Sequence, residues 1–267
     1  MAITSLAGIE SGTVQSSYLI KPTSVNGSLI RPHNLLYVGG GYPGNASVNS
    51  NGLSGAAVTS YTGSIDIPDA SNTTYIKAVN VSAANAGIFM LCDLLWHNSG
   101  LSLTATTPQI INSVAFAARD SNGSSNGEGV IAALFVTGLT GTGTPQLSLG
   151  YTNQAGAASR SSNGVTISAS SSLAGASYFF GMQTGDTGIR SIQSYQQDVT
   201  WTSGTAHLAA FRPILTVPVY SSVKRYYADI TENGLVKIFN SSVLFGLYFS
   251  SSGNMNGMSA TIEYTQG

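Results

Sequence analysis

The sequence predicts an all-β fold: an antiparallel β-sandwich, jelly-roll-like, with an extended N-terminal arm or small subdomain. Three observations predict it. Short segments alternate apolar and polar residues with period two, turn-forming residues punctuate the whole length (31 Gly in 267 residues), and helical periodicity is almost absent. Alternation marks a half-buried strand because successive side chains point to opposite faces.

Taken along the chain, residues 1–70 differ in composition from the rest and read as the arm or small β subdomain, and residues 71–267 as the main β-sandwich domain. Val38–Gly52, rich in Gly and Asn, predicts an extended surface loop that reaches across to a neighbouring molecule. Thr74–Val81 sets Tyr75, Val79 and Val81 on one face, with Lys77 the exception. Ile88–Leu95 reads as a core strand, which makes Cys92 a buried thiol. Thr107–Phe116 carries Ile110, Ile111 and Val114 at helical spacing behind Pro108, but it is short and β-branched, so helix content is expected below about 15%. Gln146–Tyr151 groups Leu147, Leu149 and Tyr151, and Gly164–Ala169 groups Val165, Ile167 and Ala169. The unbroken run Val243–Phe249 predicts a strand buried on both faces. At the C-terminus Met258, Ala260, Ile262 and Tyr264 face one way, and Ser259, Thr261, Glu263 and Thr265 the other.

Charge is scarce. Ten Lys+Arg and 11 Asp+Glu make 8% of the chain, with formal net charge −1 and mean hydropathy +0.15; an ordinary domain carries roughly 25%. A monomer of this mass exposes on the order of 11,000 Å², or roughly 500 Å² per charge, which favours association. A homo-oligomer is expected, with a trimer preferred. Without a run of Lys or Arg or a basic arm there is no footprint for nucleic acid. The longest apolar runs, Ile88–Cys92 and Val243–Leu247, are too short to span a bilayer. No secretory leader is visible, so synthesis in the cytosol is expected. The single Cys forms no intrachain disulfide.

Candidate chemistry is thin. His33, His97 and His207 lack metal-ligand spacing, and His97 reads as a strand-end residue bonded to backbone. Gly8–Gly12 does not match a nucleophile elbow. Asp66 and Asp69 flank Ile67-Pro68, a turn rather than a catalytic carboxylate pair. Asp120, Asn122, Ser124, Asn126 and Glu128 offer oxygens at alternate positions, yet the later carboxylates of a calcium loop are missing, so Asp120–Glu128 reads as a polar turn. Gly39–Gly41 and Gly138–Gly143 lack the Lys-Ser/Thr ending of a phosphate loop. Lys224–Asp229, mixing cations and aromatics, reads as an exposed contact strip. No catalytic, cofactor-binding or metal residue is assigned, no cofactor is expected, and the chain reads as a non-enzyme.

Several blocks resemble a group of tailed-bacteriophage virion structural proteins: Leu91–Ser113, Phe116–Asp120, Gly127–Val130, Leu149–Gly156, Gly185–Gln193, and Ser203-Gly-Thr with Phe211–Pro213. A looser echo follows at Phe239–Phe245 and Tyr264–Gly267, while the first 80 residues match nothing in that group. The resemblance implies a virion building block, made in the host cytoplasm, and supplies no site residues. With no basic arm and no spine helix, the expected role is a capsid decoration (cement) protein. It would bind the outer capsid as an oligomer, with the major capsid protein or another virion protein as partner. The alternative is a tail, neck or vertex-fibre component, including a host-binding module. A tail-spike glycosidase would need a carboxylate pair about 5–10 Å apart in a cleft.

Overall fold

The structure is a computed structural model that describes residues 5–25, 31–48, 50–68, 73–167, 172–220 and 226–266. Its strands form three antiparallel sheets, and the described helices are two short ones, α1 (Leu6–Ser11) and α2 (Ile230–Asn233). The first sheet runs β1 (Thr13–Val25), β17 (Met255–Gln266), β4 (Thr74–Ala83) and β14 (Tyr226–Asp229), with β15 (Val236–Ile238) also paired to β4. The second runs β10 (Val165–Thr166), β8 (Gln146–Asn153), β12 (Ile189–Gln197) and β6 (Gln109–Ile110), with β9 (Arg160–Ser161) on β8. The third runs β11 (Ser177–Phe179), β7 (Ile131–Gly138), β13 (Thr205–Val219), β5 (Gly87–His97), β16 (Leu244–Ser250) and β2 (His33–Asn34), with β3 (Ala56–Ala57) on β5.

The chain divides into two compact units, and the division falls inside β5, after Cys92, and inside β13, after Pro213. One unit holds Met1–Ala46, Ser60–Cys92 and Ile214–Gly267. Its core joins Val79, Val81, Ala260, Ile262 and Tyr264 of the first sheet to Phe89, Leu91, Val217 and Leu244 of the third. The other holds Ser47–Thr59 and Asp93–Pro213, and joins Leu147, Leu149, Tyr151, Ile192 and Tyr195 of the second sheet to Leu95, Leu134, Leu208 and Ala210 of the third. Each is a β-sandwich with the alternation that two facing sheets require. Residues 1–70 contribute to both units, Ser47–Thr59 going to the second and the rest to the first.

The strands expected at Thr74–Val81, Ile88–Leu95, Gln146–Tyr151, Val243–Phe249 and Met258–Thr265 are present, with local departures. Of Gly164–Ala169 only Val165–Thr166 is a strand; Ile167 beside it is buried, and Ala169 lies outside the described residues. In β4 the inward residues are Ile76, Val79 and Val81, and Tyr75 is only half-buried. A register shift opposite Glu263/Tyr264 makes Lys77 the extra residue of a bulge, and one extra residue flips the face of everything before it. Thr107–Phe116 forms only the two-residue β6, with Ile110 exposed and Ile111 buried, because adjacent β-branched residues satisfy an extended edge better than a helical turn. All of Val243–Phe249 but its first residue lies in β16, which is buried along nearly its whole length, and Cys92 is fully buried on β5.

Candidate functional site

Three of the blocks that carry the phage resemblance meet at a buried charged centre in the second unit. Asp93 follows Phe89 and Leu91 on β5 and has no exposed surface. Arg119 donates from Nε to Asp93 Oδ2 (3.1 Å) and from Nη2 to Oδ1 (3.0 Å). The same Nη2 donates to the carbonyls of Val58 (2.9 Å) and Leu94 (2.8 Å). Arg212 of β13 brings its Nη2 to 3.7 Å from Asp93 Oδ2. Burial lowers the Arg212 pKa; Asp93 opposes that, Arg119 reinforces it, and Asp120 opposes it again. All three side chains are under a tenth exposed. Two-point pairing of a guanidinium with a carboxylate fixes orientation as well as charge, so this centre pins β5, β13 and the coil at Arg119 together.

Asp186 forms a second hub in the same unit. It accepts from Tyr151 Oη (2.6 Å), Asn153 Nδ2 (2.7 Å), Arg160 Nε (3.0 Å) and Arg160 Nη2 (2.9 Å). The Arg160 hydrogen bonds above all hold its carboxyl down to about 2. Asp120 forms a third. Its Oδ1 accepts from the N–H groups of Asn122 (2.9 Å) and Ser124 (2.7 Å), and its Oδ2 from Ser124 Oγ (2.8 Å) and from the N–H groups of Gly127 (2.9 Å) and Glu128 (3.1 Å). Burial pushes that carboxyl up, but the bonds from Ser124, Glu128 and Asn122 outweigh it and the group lies below the ordinary range. The segment read as a polar turn is a turn wound round one carboxylate. At Gly127, φ is +86° and a Cβ would come within 2.2 Å of the Ile189 carbonyl, so a side chain there would break the winding.

In the first unit, Lys21 is fully buried and donates from Nζ to the Pro43 carbonyl (2.8 Å) and to Asn45 Oδ1 (3.4 Å). Burial pushes its ammonium down to about 8. Gly39, Gly40 and Gly41 all have positive φ, and a Cβ on Gly41 would sit 2.0 Å from the Ile20 carbonyl. The first part of the Gly/Asn loop, Gly39–Asn45, is therefore hydrogen-bonded to its own β1 through Tyr42, and Gly41, Tyr42, Gly44 and Asn45 are exposed; Asn49 lies outside the described residues.

His97 ends β5, and its Nδ1 lies 3.2 Å from the Asn98 carbonyl, as a strand-end residue bonded to backbone would. Its ring stands edge-on to His207 at 5.7 Å, and His207 stands edge-on to Phe135 at the same distance. Burial, followed by the charge of His97, holds His207 down to about 3. His33, in the first unit, has its Nε2 3.1 Å from the Gly253 carbonyl and its pKa lowered by burial. Among the described residues no group of three or more His, Cys, Asp or Glu is placed to hold a metal ion. A shallow depression of about 370 Å³ in the second unit is lined by Ser50, Ser99, Thr137 and Thr205 with apolar neighbours, and by no titratable side chain.

Asp66 accepts from the Tyr42 hydroxyl; Asp69 lies outside the described residues, and so do Lys224 and Arg225 of the contact strip. The rest of that strip is β14, with Tyr227 63% exposed and Asp229 capping α2. Gly138 closes β7, and Thr140 and Gly141 turn back to Ser172 and Ser203. Sequence reasoning passed over Asp93, Arg119, Arg212, Asp186 and Lys21. A signal existed for Asp93 and Arg212: each is a lone charge beside an apolar run in a strand, and a charge in a core strand needs a buried counter-charge.

No protein-family model matches the chain, and no curated protein matches it. Solved structures of infectious bursal disease virus align over most of its length at very low similarity. The Gt strain structure has 9% identity and TM-score 0.20, covering 96% of this chain and 81% of that chain. The VP2 subviral particle has 8% identity and TM-score 0.20, covering 97% and 82%. The virus-derived T=1 particle has 10% identity and TM-score 0.19, covering 97% and 79%. Scores at this level carry no argument about what the chain does.

Proposed function

We propose that this chain is a non-enzymatic structural protein of a tailed-bacteriophage virion, acting as a capsid decoration protein that binds the outer capsid as an oligomer. The observation that carries the reading is where its few charges go. Of 21 charged residues, Lys21, Arg31, Asp93, Arg119, Asp120 and Arg212 are buried, which leaves at most fifteen for the surface. On the order of 11,000 Å² of surface then holds about one charge per 700 Å². Such a surface is poorly kept apart from its own copies and suits a subunit that spends its life in contact. The polar centres described above spend their bonding capacity inside the chain, as scaffold pins do, and the phage resemblance supplies the setting.

Copy number in purified particles tests the role. Quantitative mass spectrometry against the major capsid protein is expected to count hundreds of copies. A count of about six or twelve, the multiplicity of symmetric neck, tail and vertex rings, would move the chain to those positions. Absence from particles would remove the reading altogether.

A further inference from the structure

We infer that the outer edge of β1 is a pairing site for the same strand of a second copy, antiparallel and centred on Ser16. The inference deepens the self-associating part of the proposed function and rests on that part alone. β1 stands at one end of its sheet, paired to β17 through the register Thr13↔Gln266 to Lys21↔Met258. Ile20 donates its N–H to the Tyr42 carbonyl (2.6 Å) and accepts from the Tyr42 N–H (2.8 Å). In a strand the N–H and C=O of every second residue point the same way, so Val14, Ser16 and Tyr18 direct theirs to that outer side as well. Among the described residues no strand or bridge faces those three.

The open stretch has definite ends. Helix α1 and Gly12 precede it, and Tyr42 covers it at Ile20. Its middle is Ser16. Edge strands are usually guarded by outward Lys, by Pro or by a bulge. Here Pro22 and the bulge between Lys21 and Ser24 lie beyond Ile20, and the one Lys points inward. Thr13–Leu19 carries no charge, so a second copy meets no repulsion.

A row of unpaired N–H and C=O groups accepts only another extended strand, and the symmetry of this row selects itself as the partner. With Ser16 opposite Ser16 of the second copy, Val14 falls opposite Tyr18 and Tyr18 opposite Val14. Val14 and Tyr18 are 45% and 49% exposed, and aromatic with β-branched is a favourable cross-strand pair. Each copy's Tyr42 then lies past the end of the other's strand, so the contact closes on a two-fold axis and does not propagate. The assembly unit is accordingly a dimer rather than the trimer expected from composition. A contact this short stays below the ~800 Å² per partner of a stable complex, so the dimer is concentration-dependent in solution and is favoured where copies are held close together.

Cysteine scanning of the full chain tests the register. In a directly opposed hydrogen-bonded pair the Cα atoms are about 5.5 Å apart, within the roughly 4.4–6.8 Å that a disulfide spans. Ser16→Cys is expected to give a covalent dimer under mild oxidation, at least tenfold faster than Val14→Cys or Tyr18→Cys; the native Cys92 is buried and does not compete. Ser16→Pro, which removes an N–H that β17 does not use, is expected to weaken the dimer at least tenfold in sedimentation while leaving the far-UV spectrum intact. An oligomer that persists with no Ser16→Cys cross-link overturns the pairing and leaves the proposed function standing. A chain that is monomeric from micromolar to near-millimolar concentration overturns both the pairing and the self-association it rests on.

Discussion

Two Gly- and Asn-rich loops, Gly39–Asn45 in one unit and Asp120–Glu128 in the other, are organised round charges of opposite sign. In the second loop a carboxylate gathers four backbone N–H groups and a hydroxyl. In the first an ammonium donates to one backbone carbonyl and one side-chain amide. Neither hub has an opposite charge as its hydrogen-bond partner, so each is stabilised by peptide dipoles rather than by ion pairing. The carboxylate does it more completely, because a turn presents N–H groups inward at several successive positions. The outcome differs accordingly. Asp120 is held in its charged form, whereas burial pushes Lys21 towards its neutral form.

The largest expected effect is Asp120→Ala, which leaves four N–H groups without their acceptor and should cost about 3 kcal/mol in denaturant unfolding. Asp120→Asn keeps one acceptor oxygen and should lose roughly half of that. A loss below about 0.5 kcal/mol for the Ala variant, the scale of an ordinary surface substitution, would break the comparison.

Acid separates the loop from the histidines. His207 has a folded pKa near 3, below its ordinary 6.5, so between those values the unfolded state binds the extra proton and stability falls as pH drops from 6.5. Asp120 has a lowered pKa, so its contribution is lost only as pH falls below the ordinary carboxylate range. Wild type is therefore expected to lose up to about 1.4 kcal/mol per pH unit through His207 below pH 6.5, with His97 and His33 adding in the same direction. His207→Phe should flatten that slope between about pH 6 and 4. An unchanged slope in thermal melts would count against the buried neutral histidine.

Lys21→Met should give the smallest change, about 1 kcal/mol or less near pH 7, because removing a buried charge offsets the lost hydrogen bonds. The sign of its pH dependence is distinctive. With a folded pKa of about 8 against 10.5 unfolded, the unfolded state binds more protons between those values, so the wild-type protein gains stability with rising pH relative to the Lys21→Met variant. Chemical denaturation at about pH 7.5 and about pH 9.5 measures the difference. A gap that stays constant would mean the ammonium keeps its ordinary pKa.

The same contrast explains what was legible in the sequence. The Asp120 hub is local: its donors lie two to eight residues downstream, and D-x-N-G by itself announces a turn. Lys21 reaches Pro43 across 22 residues, and Arg119 reaches Asp93 across 26, so neither pairing follows from spacing. Strand patterning survived wherever one face is buried without interruption, as in β8 and β17, and failed at β4, where one inserted residue inverts the pattern. The division into units was hidden for a related reason. Ile88–Leu95 reads as one core strand, and nothing in the apolar residues of β5 or β13 marks the points after Cys92 and Pro213 where their core partners change.

Placing charges inside also changes how such a molecule meets anything else. Debye screening acts on exposed charges at long range and barely on buried pairs. A surface this poor in charge cannot steer a partner from a distance, so encounters depend on diffusion and orientation, within the unsteered range of about 10⁵–10⁷ M⁻¹s⁻¹. The rate at which this molecule meets a partner, a second copy included, should then be nearly the same in dilute buffer and in seawater-strength salt.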